Sequence, residues 1–299
     1  MKADSARTIL YALGANLAIA VAKTGAAIAT GSSAMLAEAI HSFADSGNQG
    51  LLLWGMRQAR RAPSADYPLG WGKALFFWSF IVALVLFSAG GLFSVYEGWH
   101  KLAEPQPLTY PWVAVAILAF GLVAESVSLR ACLQEVKKAR GQRSLRQWLR
   151  ETRQSELVVI LGEDVAALIG LALALAAVVA AAFTGDPLWD ALGSIAIGAV
   201  LIVVALGIGI QIMGLLIGRS ADPEVVARMR EFLERREEVE HLYRMLTLQL
   251  GTSLMVAVKA RMRGESAAEL VAGINRCEAA MRVEFAEIQW LFFEPDVMD

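Results

Sequence analysis

The chain has 299 residues, 57% of them hydrophobic and 19% charged, with a formal net charge of −2. Soluble domains are nearer half apolar and a quarter charged, so both figures lean toward a membrane protein, and the near-neutral balance gives no sign of a nucleic-acid partner. The two cysteines, Cys132 and Cys277, stand far apart in no metal or redox spacing.

The apolar residues come in long runs, and about 20 such residues let a helix cross a bilayer. In chain order the predicted spans are about Ile9–Thr30, Ser33–Met56, Ala74–Tyr96, Pro111–Cys132, Glu156–Phe183 and Pro187–Gly218, six in all. The first run is too long for a signal core and continues into the second, so no cleavable leader is expected. Basic residues alternate with the spans. Lys2 and Arg7, then Arg57, Arg60, Arg61 and Lys73, then Lys137 to Arg153, and finally Arg219 all fall on one side of a six-span chain. The opposite connections, Gly31-Ser32, Glu104 to Pro107 and Gly185-Asp186, carry almost none. Positive charge stays on the cytoplasmic side, so both termini are expected there. A bacterial inner membrane is the expected location.

The composition changes at Ala221. Asp222-Pro223-Glu224 has the residues of a helix start, and Val225–Arg236 reads as an amphipathic helix. Strands are predicted at Leu246–Leu250 and Leu254–Arg263, a helix at Ala267–Val283 and a last strand at Ile288–Glu294. The predicted fold is thus an α-helical membrane domain over residues 1–219 and a small α+β domain over residues 220–299, whose αββαβ order suits a ferredoxin-like sandwich.

Ionisable groups inside spans are the informative ones, since each costs at least about 2.5 kcal/mol at mid-membrane. His41 and Asp45 are four apart on one face of the second span and can share a metal ion, with Glu38 on the same general side. A buried His–Asp contact that only joins helices is the plain alternative. Glu163 and Asp164 lie more than a turn into the fifth span; the plain alternative is a helix cap at the interface. Together the two pairs can supply a site of nitrogen and oxygen donors. That mixture suits zinc first, and also cobalt, iron, nickel or manganese. Asn16, Asn48 and Gln49 are expected to bond across helices, and Lys23 to snorkel toward the interface. Glu97 and Glu125 are expected to pair with basic groups or line a wet cavity, and Asp190 to cap a helix.

The stretch from Ala37 through His41 to Asp45, the Pro68-Leu69-Gly70-Trp71-Gly72-Lys73 segment, the six spans and the tail ending in Glu294-Pro295 resemble the cation diffusion facilitator family over nearly the whole chain. Ser46-Gly47-Asn48-Gln49 is most similar to the branch containing the animal zinc transporter nine proteins. The resemblance implies a homodimer joined through its C-terminal and transmembrane domains, a tetrahedral site between the second and fifth spans, and export of metal in exchange for protons. By position it makes His41, Asp45 and Asp164 ligands. The family's other ligand position holds Ile160, so Glu163, Asn48, Asn16 or water must complete the shell. Phe292 and Phe293 stand where many members carry a tail histidine, and Gly218-Arg219 where some place an acid to meet Lys73. The expected function is proton-coupled antiport of a divalent metal, with no organic cofactor. The rivals are an intramembrane metal-dependent hydrolase and a metal-sensing or structural adaptor.

Overall fold

A computed structural model of the chain describes residues 3–105 and 107–298, with side chains from residue 17 onward. Lys2, Gln106 and the side chains of Arg7, Ile9 and Asn16 lie outside it. Helix α1 (Ala3–Thr30) is followed by α2 (Ser33–Ala59) and α3 (Ala74–Val85). The last continues through a π-helical segment, Leu86–Leu92, into α4 (Phe93–Ala103). Then come α5 (Pro111–Arg140), the short α6 (Leu145–Glu151), α7 (Ser155–Thr184) and α8 (Leu188–Ile217). Four helical stretches among the described residues are long and apolar enough to cross a membrane: Ala74–Ala103, Pro111–Arg140, Ser155–Thr184 and Leu188–Ile217. Outward residues such as Phe120, Val123, Val203 and Ile210 are all about two-thirds exposed, a band that suits lipid rather than water.

Glycines set both the ends and the contacts of these helices. Gly31 and Gly185 adopt φ of +66° and +70° just past α1 and α7, and each N–H returns to a carbonyl four residues back at 2.9 Å. A Cβ at Gly98 would stand 2.7 Å from the Ala191 carbonyl oxygen, and one at Gly198 2.6 Å from that of Gly91. The α4 side of the broken helix therefore meets α8 backbone to backbone. At the end of the π segment the Phe93 N–H donates to Ser88 O and Gly90 O, and the Ser94 hydroxyl also donates to Gly90 O at 2.6 Å.

The chain divides into two compact units, Met1–Trp54 with Trp78–Arg143 and Glu156–Ile212, and Gly55–Phe77 with Ser144–Ser155 and Met213–Asp299. In the second unit α9 (Pro223–Glu234) precedes β1 (Val239–Leu250), β2 (Ser253–Met262), α10 (Ala267–Glu284) and β3 (Ile288–Pro295). The αββαβ order is thus present. The sheet runs β1-β2-β3, with β1 antiparallel and β3 parallel to β2. Asp222 caps α9 by accepting from Glu224 N at 3.0 Å, and Pro223 sits in the first turn, where its missing N–H costs nothing. Met229 and Leu233 of α9, Cys277 and Met281 of α10, and Val256, Val258 and Leu291 of the sheet form the core. Phe232 and Phe285 close it edge to face at 5.7 Å.

Two expectations change here. β1 begins seven residues before the predicted Leu246, because irregularities between Val239 and His241 and between Leu242 and Arg244 break the alternation by which a strand is read. The stretch from Lys137 to Arg153, read from its charge as a positive-inside loop, is partly helical. α5 continues to Arg140, Ser144 caps α6 by accepting from Gln147 N at 3.2 Å, and Trp148 is buried. Arg153 donates to Ser220 O and Ala221 O, and Arg219 to Arg150 O.

Gly72, just before α3, lies against the β1–β2 turn, where a Cβ would come within 2.2 Å of Leu250 O. Nearby, Lys73 donates to Leu216 O at 3.3 Å. Gly72→Ala is expected to cost about 1–3 kcal/mol by overpacking, measured as a lowered melting temperature of the full chain in detergent. Glu238 supplies a pH test of the same unit. Burial works to raise its carboxyl, yet hydrogen bonds from the backbone, Arg276 and Arg236 hold it below the usual carboxylate range. A depressed folded-state value stabilises above the unfolded value, about 4.3, and that contribution disappears as pH falls through the folded one. Glu238→Gln is expected to cost about 1 kcal/mol at pH 7 and to flatten the acid limb of the stability profile below about pH 4.3.

Candidate metal centre

The candidate site lies in the first unit, where α2, α5 and α7 face one another across polar side chains. Four residues set one helical row on α2, because i, i+3 and i, i+4 positions share a face. Along it run Glu38, His41, Asp45 and Asn48. Each must find a partner or remain costly in an apolar setting.

Lys23 of α1 meets the first of them. It is 1% exposed, donating to Glu38 Oε2 at 3.3 Å and to Ser42 Oγ at 2.7 Å. The expected snorkelling is therefore corrected: the ammonium turns inward because a carboxylate on the neighbouring helix offsets its desolvation. Glu38 in turn presses on α7, where a Cβ at Gly170 would fall 2.4 Å from its Oε1. At the other end of the row, Asn48 donates to Glu163 Oε1 at 2.6 Å, the expected bond across helices.

Each end keeps one open oxygen, Glu38 Oε1 and Asn48 Oδ1, and more polar atoms are left open between them. His41 is 1% exposed; its Nε2 lies 3.4 Å from Asp45 Oδ2, and neither ring nitrogen makes a hydrogen bond. Asp45 Oδ1 and Asp164 Oδ2 are also buried without a hydrogen-bonding partner. Asp45, Glu163 and Asp164 line a cavity of about 40 Å³ together with Ile19, Ser42, Gln49, Glu125, Ser128, Ile160 and Ala167. That volume holds a few waters or one partly hydrated ion. Among the described residues no three His, Cys, Asp or Glu side chains stand close enough to share one ion. The groups line a common space without closing on its centre.

The structure therefore brings Asp45, Glu163 and Asp164 onto one cavity, with His41 against Asp45. Glu163 and Asp164 sit in the third turn of α7, not at its first-turn cap. Ile160 faces the cavity as an apolar wall. Glu125 lines it too, the second of the two roles expected of it. Ser128, which donates to Asp164 Oδ1 at 3.3 Å, was not foreseen; its only signal is a position three residues after Glu125 on the same helix face.

Asp190 acts as a cap, but for another helix. Fully buried in the first turn of α8, it accepts from the N–H groups of Ser33 and Ala34, which begin α2. It also accepts from the Ser32 and Ser33 hydroxyls and from Lys101 Nζ at 3.1 Å. This fixes the N-terminal end of the helix that carries His41 and Asp45.

A family profile described as the cation efflux transmembrane domain matches residues 9–217. Metal tolerance protein C4 of Arabidopsis thaliana is 33% identical over 241 residues, 80% of this chain and 53% of its own. Proton-coupled zinc antiporter SLC30A9, mitochondrial, of Homo sapiens is 35% identical over 227 residues, 75% of this chain and 40% of its own. Mitochondrial metal transporter 2 of Saccharomyces cerevisiae is 30% identical over 127 residues, 42% of this chain and 25% of its own. The chain spans about half or less of the length of these relatives.

Asp190→Ala is expected to cost about 3–5 kcal/mol, since it leaves Lys101 buried and unpaired and uncaps α2. Thermal unfolding of the detergent-solubilised chain measures this, and Asp190→Asn, which keeps an acceptor, is expected to recover part of the loss.

Proposed function

We propose that this chain, which belongs to the cation efflux family of cation diffusion facilitators, carries zinc or a similar divalent transition-metal ion out of the cytoplasm in exchange for protons. The family makes it an integral membrane protein of metal-cation transport. The observation that carries the finer reading is the set of unpartnered atoms on Asp45 and Asp164, which line one cavity, and on His41, which lies against Asp45. Buried polar atoms are normally hydrogen-bonded, so a concentration of exceptions suits a place reserved for an ion.

In this reading His41, Asp45 and Asp164 hold the ion, and Glu163, fixed by Asn48, stands at the cavity wall as a candidate for the remaining position. Ligands bind metal deprotonated, so loading displaces protons and protonation on the far side releases the ion. Imidazole suits such an exchange, its unperturbed pKa of about 6.5 lying near working pH. Zinc is favoured by the mixture of imidazole and carboxylate donors and by the printed name of the SLC30A9 relatives; cobalt, iron, nickel and manganese suit the same donors. These relatives are transporters by name, which favours transport over the hydrolase and adaptor readings.

The reading counts α1 and α2 as two further spans, giving six. Composition marks α2 weakly because it turns its polar row inward, while in α1 the apolar run read in the sequence begins at Ile9, ahead of the side chains described from Leu17. The one-sided distribution of the basic segments supports a topology with both termini in the cytoplasm. A bacterial inner membrane draws no support from the relatives, several of which are mitochondrial by name. The three-stranded sheet backed by α9 and α10 is taken as ferredoxin-like. Its other face lines up Leu246, Ala257 and Phe292 across three strands, with Leu246 61% and Phe292 52% exposed. That apolar row is where a second copy is placed in a homodimer.

Flux of zinc into proteoliposomes under an imposed pH gradient tests the function. Uptake is expected to follow the gradient, and Asp45→Ala or His41→Ala to lower it by at least about tenfold while the protein remains folded. Undiminished flux in Asp45→Ala would remove the ligand assignment. No flux of zinc, cobalt, iron, nickel or manganese by folded protein would remove the transport reading.

A further inference from the structure

Ile160 leaves the ion one protein donor short, and the cavity wall shows what can replace it. Glu163 lines the cavity too, but it is 6% exposed and tied through Oε1 to Asn48 Nδ2 at 2.6 Å, which leaves only Oε2 for an ion and makes any larger swing of the carboxylate break a buried bond. Gln49 and Ser42 offer neutral oxygens, and Ser42 is engaged by Lys23. Glu125 is different. It faces the cavity from α5, is partly buried, and among the described residues accepts no hydrogen bond and forms no ion pair that would hold it away. Ser128, three residues on and on the same face, donates to Asp164 Oδ1 at 3.3 Å, so this face of α5 already meets one of the proposed ligands.

We infer that Glu125 supplies the carboxylate that completes the coordination of the ion, in place of a donor at Ile160. This rests on the reading of the cavity as an ion site. That reading has a foundation apart from the acids: the buried His41 ring, whose nitrogens have no hydrogen-bonding partner and whose Nε2 stands 3.4 Å from cavity-lining Asp45. The consequence is a site built from three helices, α2, α5 and α7, with one imidazole and three carboxylates. Three oxygens make a harder donor set than two imidazoles with two carboxylates, so manganese is expected to compete with zinc better than at a nitrogen-richer site. The ion would draw α5 toward α2 and α7, because the donors do not yet meet.

The test is equilibrium zinc binding to the full chain in detergent, read by competition with a chromophoric chelator, with flux measured in parallel. Glu125→Gln is expected to weaken zinc binding by about tenfold or more and to raise KM, and Ser126→Ala, on an exposed position of the same helix, to leave both unchanged. Glu125→Asp, which keeps the charge on a shorter stem, is expected to fall between wild type and Glu125→Gln, and decides the matter if Glu125→Gln does not fold. Wild-type affinity in the Glu125 variants overturns the inference and leaves the transport reading standing if Asp45→Ala still abolishes flux. Loss of affinity in Glu163→Gln alone also overturns it, giving the position to Glu163. A wild-type chain that binds no zinc, cobalt or manganese overturns the inference and the ion-site reading together; one that binds zinc, with Glu125→Gln weakening the binding, but does not transport supports the inference and overturns only the transport reading.

Discussion

Everything in the helical unit answers to one constraint: an ionisable side chain placed between apolar helices must meet a partner there. Helix α2 carries three such groups, Glu38, His41 and Asp45, along one face, followed by the polar Asn48. At its N-terminal end Asp190 gathers the helix N–H groups, two hydroxyls and the Lys101 ammonium around one carboxylate. One turn on, Lys23 meets Glu38, and at the far end Asn48 meets Glu163. The partners come from the neighbouring helices, Lys23 from α1, Glu163 from α7 and Asp190 from α8.

The middle of the row meets the rule least well, which is what the proposed ion site rests on. A structural His–Asp contact would show a well-formed hydrogen bond and a satisfied second nitrogen. Here both imidazole nitrogens are open, as are oxygens of Asp45 and Asp164. The rigid ends hold α2 in position, and the open middle gives an ion something to gain. Local strain of this kind persists only where the surroundings over-determine it, which the Asp190 network and the Lys23–Glu38 pair accomplish.

Much of this was legible in the chain. Long apolar runs announce their helices because lipid leaves few other choices, and the His41–Asp45 spacing places both on one face whatever the tertiary contacts are. The αββαβ order of the C-terminal domain was also visible, as its helices have caps and its strands alternate. Cross-helix pairing was not. Lys23 read as a snorkelling residue because nothing local points to a partner fifteen positions away on another helix. Asp190 read correctly as a cap, but the helix it caps begins more than 150 residues earlier. The π segment has only a serine and two glycines to mark it, and the early part of β1 was hidden by irregular register.

The contact between Gly72 and the β1–β2 turn has a mechanical side. At Gly251, φ is +64° and a Cβ would come within 2.5 Å of Gly72 O, so two stretches of main chain touch with no side chain between them. Side chains act as springs, absorbing displacement by changing rotamer. A bare joint has no such compliance: a shift of the segment leading into α3 is handed to the hairpin at nearly full amplitude, and the reverse. The second unit thus contains a stiff coupling at the foot of one helix, assembled from the two residues that have no side chain to yield.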